Sequence, residues 1–151
     1  MRTSILGLAA LMLADLISGA AAQQTPPVAG SWLVEDRKGV IEIYPCADKL
    51  CGRLAWLSEP NSDGKPKVDR NNPDPALRQQ PLCGLTMLHA FRQLEPNRWG
   101  DGLIYNPENG KTYHATMTLD GNLLKLRGYV GIPLFGETQT WTRADPKQKS
   151  C

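Results

Sequence analysis

Two histidines, four cysteines and a run of acidic and amide side chains are the residues of this chain with the chemistry to act on a substrate or hold an ion. His89 falls in step with Leu85, Met87 and Phe91, so strict alternation turns it toward the interior of a strand. His114 falls in step with Thr112, Thr116 and Thr118, a polar phase that faces water. A general acid or base needs a positioned partner, and neither histidine has one in its own stretch. The chain also lacks a Gly-x-Ser-x-Gly elbow, a His-Glu-x-x-His pair and a phosphate-cradling glycine loop. Hydrolase or isomerase chemistry on His89 therefore ranks last among the readings. Asp63, Asp69, Asn71, Asn72 and Asp74 offer oxygens of the kind calcium takes. They are interleaved with Lys65, Lys67 and Arg70 and lack the ordered spacing of a calcium loop, so turn and cap roles are expected and no metal. No cofactor is implied.

The cysteines speak of compartment more than of chemistry. Cys46 and Cys51 flank a four-residue connection between two strand-like runs. A disulfide there staples a hairpin and, for so short a loop, contributes roughly 2 kcal/mol. A metal pair is the weaker reading, with no histidine nearby. Cys83 and Cys151 either pair with each other or stay separate, Cys83 then being a small buried side chain. Disulfides belong to exported chains, and the N-terminus agrees. Arg2 precedes an apolar run from Ile5 to Ile17, interrupted by Asp15, and Ala20-Ala21-Ala22 gives a small-residue cleavage pattern before Gln23. The run is short for a membrane span. Residues 1–22 are thus expected to be a signal peptide, 23–28 a short extension, 29–144 one domain and 145–151 a tail.

Loss of residues 1–22 removes Arg2 and Asp15 together and leaves the net charge at +2. Dispersed charge of this size gives no footprint for nucleic acid, and no later apolar run approaches membrane length. The remaining chain reads as antiparallel β. Ser31–Asp36, Val40–Tyr44 and Cys51–Leu57 come first, then Ser58–Gly84 breaks the pattern with five prolines. Within it Asp74-Pro75 suits the cap and first position of a single helical turn. Leu85–Leu94, Trp99–Tyr105, Thr112–Leu119, Leu123–Val130 and Phe135–Arg143 follow, bringing the total to about eight strands. Gly100 and Gly102 suggest a bulge or a close backbone contact. The long connection between the third and fourth strands is of the size used for lids and binding loops.

Gly30-Ser31-Trp32 at the head of the first strand and Arg143 late in the last resemble the closure pattern of lipocalin-like barrels, in which the guanidinium stacks on the indole. Further motifs are similar to one family: Cys51-Gly52-Arg53-Leu54, Asn72-Pro73-Asp74-Pro75-Ala76-Leu77-Arg78, Leu82-Cys83-Gly84-Leu85, Ile104-Tyr105-Asn106-Pro107, Gly110-Lys111-Thr112-Tyr113, and Arg127-Gly128-Tyr129 through to Arg143. They resemble the exported Gram-negative bacterial family called domain of unknown function 2147. The resemblance implies a lipocalin-like barrel and a periplasmic or secreted location, and it carries no activity to any position.

Barrels of eight strands are either solid or hold one small ligand. The expected function is the binding of a small apolar or amphipathic molecule, without catalysis. Leu85, Met87, His89 and Phe91 would line the space with Tyr113, Ala115 and Met117, under the long loop as lid. The alternative is a cell-envelope interaction protein with a solid barrel that works through the 58–84 loop, its protein partner left open.

Overall fold

The computed structural model describes residues 25–148 and 151, so the expected signal peptide lies outside the described residues. Eight strands form a closed antiparallel barrel: β1 (Gly30–Leu33), β2 (Gly39–Cys46), β3 (Lys49–Leu57), β6 (Thr86–Glu95), β7 (Arg98–Asn106), β8 (Lys111–Asp120), β9 (Leu123–Tyr129) and β10 (Glu137–Arg143). Each pairs with its neighbours in the chain, and β1 pairs with β10 to close the ring. Closure leaves the barrel sheet itself without an edge. A small hairpin of β4 (Asn61–Ser62) and β5 (Lys65–Pro66) stands apart in the long loop, turning through Asp63 and Gly64, both at positive φ. Asp-Gly is the dipeptide that favours such a turn, and the sequence reading passed over it.

One end of the barrel is packed solid. Trp32, Ile43, Leu50, Phe91, Trp99, Ala115, Met117 and Leu124 are all at most 4 % exposed. Phe91 reaches across β7 directly over Gly102, where a Cβ would lie 2.4 Å from its ring. The β7 ladder shifts register between Trp99 and Gly102, with Asp101 at φ +54°, so these glycines mark both a bulge and a close contact. Val28 is fully buried and its carbonyl accepts the Trp32 indole N–H at 2.8 Å. Val28, in the segment expected as a short extension, thus packs against the first strand.

At the seam Trp32 opposes Arg143, whose guanidinium carbon lies 3.8 Å from the indole centroid. The same guanidinium donates to Ala29 O at 2.9 Å and Pro27 O at 2.6 Å. Gly30 (φ +112°) leaves space for it, since a Cβ there would sit 3.0 Å from Arg143 Nη1. One cation thus covers an aromatic face and ties the entering chain to the last strand. Cys46 is joined to Cys51 across the β2–β3 turn, and Cys83 to Cys151, which holds the chain end to the base of the long loop. Among the described residues no helix is long and apolar enough to cross a membrane.

Candidate functional site

The opposite end of the barrel is hollow. A cavity of about 850 Å³ opens there, within the range of sites for one small molecule. Ile41, Leu54, Leu57, Ile104, Leu126 and Trp141 supply much of its apolar wall, together with Met87 and Tyr113. No charged side chain is buried in this wall; the buried polar residues among those described, Asp69 and Asn72, both belong to the long loop. The Trp141 indole N–H is satisfied by Gln139 Oε1 at 2.9 Å, and the Tyr113 hydroxyl accepts from Asn109 Nδ2 at 2.9 Å. The wall is therefore mostly apolar, and the charged side chains that line the cavity, such as Asp36, Lys38, Glu59 and Arg70, are not buried.

Of the seven side chains expected to share this space, the structure brings two to it, Met87 and Tyr113. Phe91, Ala115 and Met117 are fully buried in the solid end. Leu85 and His89 border a separate outer crevice with Gln80, Pro81 and Thr86. Phe91, Ala115 and Met117 do face inward, but at the filled end; for His89 the physical reason is two irregularities in β6. Gly52 pairs with Leu88 and Arg53 with Thr86, so Met87 is an extra residue without a partner. Leu50 pairs with Phe91, and Ala90 at φ +60° is a second extra residue. Each bulge inverts the alternation on which the expectation rested. As a result His89 pairs with Leu103 and Leu103 with His114, a row on the outer face rather than in the barrel. His114 is exposed and stacks on Tyr129, with centroids 5.8 Å apart. Among the described residues no carboxylate bonds either histidine. The regular strand β8 keeps its alternation, with Ala115 and Met117 inward and His114 outward.

The long loop roofs one side of the mouth and then wraps the outside of β7. Lys67, Val68, Arg70, Asn71 and Leu82 face the cavity. The anchor is Asp69, fully buried. Its Oδ1 accepts from the Tyr105 hydroxyl at 2.7 Å, and its Oδ2 from Asn72 Nδ2 at 2.7 Å and Gln80 Nε2 at 3.2 Å. Burial, then the hydrogen bond to Asp69 and its charge, push the Tyr105 phenol up to about 12. A buried carboxylate surrounded only by donors fixes the loop more firmly than any single neutral bond. Asn71 Nδ2 reaches the carbonyls of Pro107 and Glu108 at 3.2 and 2.8 Å, so the loop also grips the β7–β8 turn. Gly110 (φ +69°) permits that approach: a Cβ would fall 1.9 Å from Asn71 O. Farther along, the Asp74 side chain caps the turn Pro75–Leu77 by accepting from Ala76 N at 2.9 Å, and Asn72 Oδ1 accepts from Asp74 N. These acidic and amide groups serve as caps and anchors. No group of three or more His, Cys, Asp or Glu side chains suited to a metal occurs among the described residues. Sequence reasoning missed Asp69 as an anchor because its partner lies 36 residues away.

No curated protein matches the chain. A solved structure, protein HP1028 from the human pathogen Helicobacter pylori, described as belonging to the lipocalin family, aligns with a TM-score of 0.70. It is 23 % identical, over 82 % of this chain and 86 % of that one, and so shares the fold. The model of the family described as an uncharacterized protein conserved in bacteria covers residues 30–143, from the glycine that opens β1 to the arginine that closes β10; the chain belongs to this family, the domain of unknown function 2147.

Proposed function

We propose that the protein is an exported carrier or receptor that binds one small apolar or amphipathic molecule in the open half of the barrel. The observation that carries this reading is the cavity: about 850 Å³ with a mostly apolar wall and no buried charge in it. Burial of ligand surface there would supply about 25 cal/mol per Å², before the costs of association. An apolar tail would lie against the apolar wall, and a polar head would meet Tyr113, Asn109 and the mixed charges of the mouth. The 58–84 loop acts as a lid hinged outside its anchored part at Asp69–Gln80. Export belongs to the same reading, because both disulfides require an oxidising compartment to persist.

Titration with an environment-sensitive apolar dye tests the proposal. One saturable site, displaced by fatty acids or quinone-like compounds and weakened at least tenfold by Met87→Trp, is the expected result. Absence of saturable binding by the folded protein for all these ligands would rule out the cavity as their site and favour an interaction protein of the cell envelope.

A further inference from the structure

The β9–β10 connection is where apolar side chains are most exposed. Val130, Ile132, Leu134 and Phe135 are 70, 53, 75 and 77 % exposed, whereas Leu77, Leu94, Leu103 and Leu123 reach only 37–44 % and lie on separate elements. Scattered exposed leucines are ordinary, but a contiguous apolar tip marks a contact surface. From Tyr129 to Gly136 there is no charged residue. The tip is also held in shape. Arg127 donates from Nε to Pro133 O at 2.7 Å, from Nη2 to Leu134 O at 3.2 Å and from Nη1 to Thr138 Oγ1 at 2.8 Å. Satisfying the carbonyls from below leaves the side chains of Pro133–Phe135 in water.

Position and size identify what covers this tip. Val130 and Phe135 also line the cavity mouth, so the tip and the proposed ligand route are continuous. A stable protein interface needs about 800 Å² from each partner, contributed by some 20–30 residues. Four apolar side chains on one short connection cannot supply that, and the rest of the rim is charged with both signs, as in Asp36–Lys38 and Glu59–Lys67. Insertion into a lipid boundary needs only a few apolar side chains and is weak and reversible. A rim of balanced charge matches a zwitterionic head-group layer, and Tyr129 has the amphipathic ring that favours such a layer.

We infer that the Val130–Phe135 connection docks the open end of the barrel onto a lipid surface, so that a membrane-dissolved amphiphile passes between bilayer and cavity without crossing water. The identity of the cargo rests on the proposed function; the docking does not. The test is co-sedimentation with phosphatidylcholine vesicles, comparing wild-type protein with an Ile132→Asp/Leu134→Asp variant, since neither residue lines the cavity. The wild type is expected to partition to the vesicles and the variant to lose at least tenfold of that partition. Each of three results overturns the inference: wild-type protein that stays in solution, a variant that sediments equally, or binding confined to phosphatidylglycerol-containing vesicles and abolished by salt. A concentration-dependent dimer that the variant abolishes would assign the tip to a second copy instead and likewise overturns it. Dye binding by both proteins without lipid reads the cavity separately; if it fails while the vesicle difference persists, docking stands and the binding reading falls.

Discussion

Replacement of Asp69 by alanine should release the long loop while sparing the barrel. The substitution removes both carboxylate oxygens and strands the Tyr105 hydroxyl and the Asn72 and Gln80 amides. Tyr105 is 8 % exposed and Asn72 likewise, so water does not readily replace the lost acceptor at either group. Each buried donor left unmade costs about 1–3 kcal/mol, giving roughly 3–5 kcal/mol for the cluster once partial relaxation around Gln80 is allowed. At about 1.4 kcal/mol per decade the open population of the loop rises by two to four orders of magnitude. Native-state hydrogen exchange reads this directly. The amides of Asp69, Asn72 and Leu82, which bond to Gln80, Asp69 and Lys67 carbonyls, should lose protection, while amides of β8 and β9 keep theirs. Unchanged protection of the loop would refute the anchor. An equal fall in the barrel would refute its independence as a lid.

Trp32→Ala should cost about 3–5 kcal/mol in denaturant unfolding, as for large aromatics in packed cores, and Arg143→Ala about 1–2 kcal/mol through lost stacking and the lost ties to Ala29 and Pro27. At alkaline pH the folded Tyr105 phenol titrates near 12 against 10 when unfolded, so its stabilisation is full below pH 10 and is lost as pH rises through 12. Tyr105→Phe should flatten that stretch of the stability profile, measured by pH-dependent unfolding. Gly102→Ala should destabilise by about 1–3 kcal/mol, because its methyl group would press on the Phe91 ring, and near-ultraviolet dichroism would register the repacked aromatics.

The barrel was legible in the sequence because its determinants are local: alternation in β8, a capped turn at Asp74-Pro75 and a short-range disulfide between Cys46 and Cys51. Closure was legible as well, since Trp32 and Arg143 are distinctive residue types at the two ends of the domain. The site was not. Its wall is assembled from β2, β3, β7, β9 and β10, strands far apart in the chain, and in β6 the extra residues Met87 and Ala90 break the alternation with no glycine or proline to announce them. The placement of the long loop depends on a bond between Asp69 and Tyr105 that no local pattern encodes. By contrast, Asp63-Gly64 carried a usable hairpin signal, and the unbroken apolar run from Val130 to Phe135 was visible as a misplaced hydrophobic stretch in a connection.

If the proposed function holds, ligand enters the hollow end of the barrel and not the solid one, and the two methionines beyond the N-terminal segment report on each end. Met87 lines the cavity, whereas Met117 is fully buried in the closed half. Titrating 13C-methyl-methionine-labelled protein with a fatty acid or an apolar dye should therefore shift the Met87 methyl signal saturably at one equivalent and leave that of Met117 in place. A Met87 signal that never moves, or two signals that move together, would contradict it.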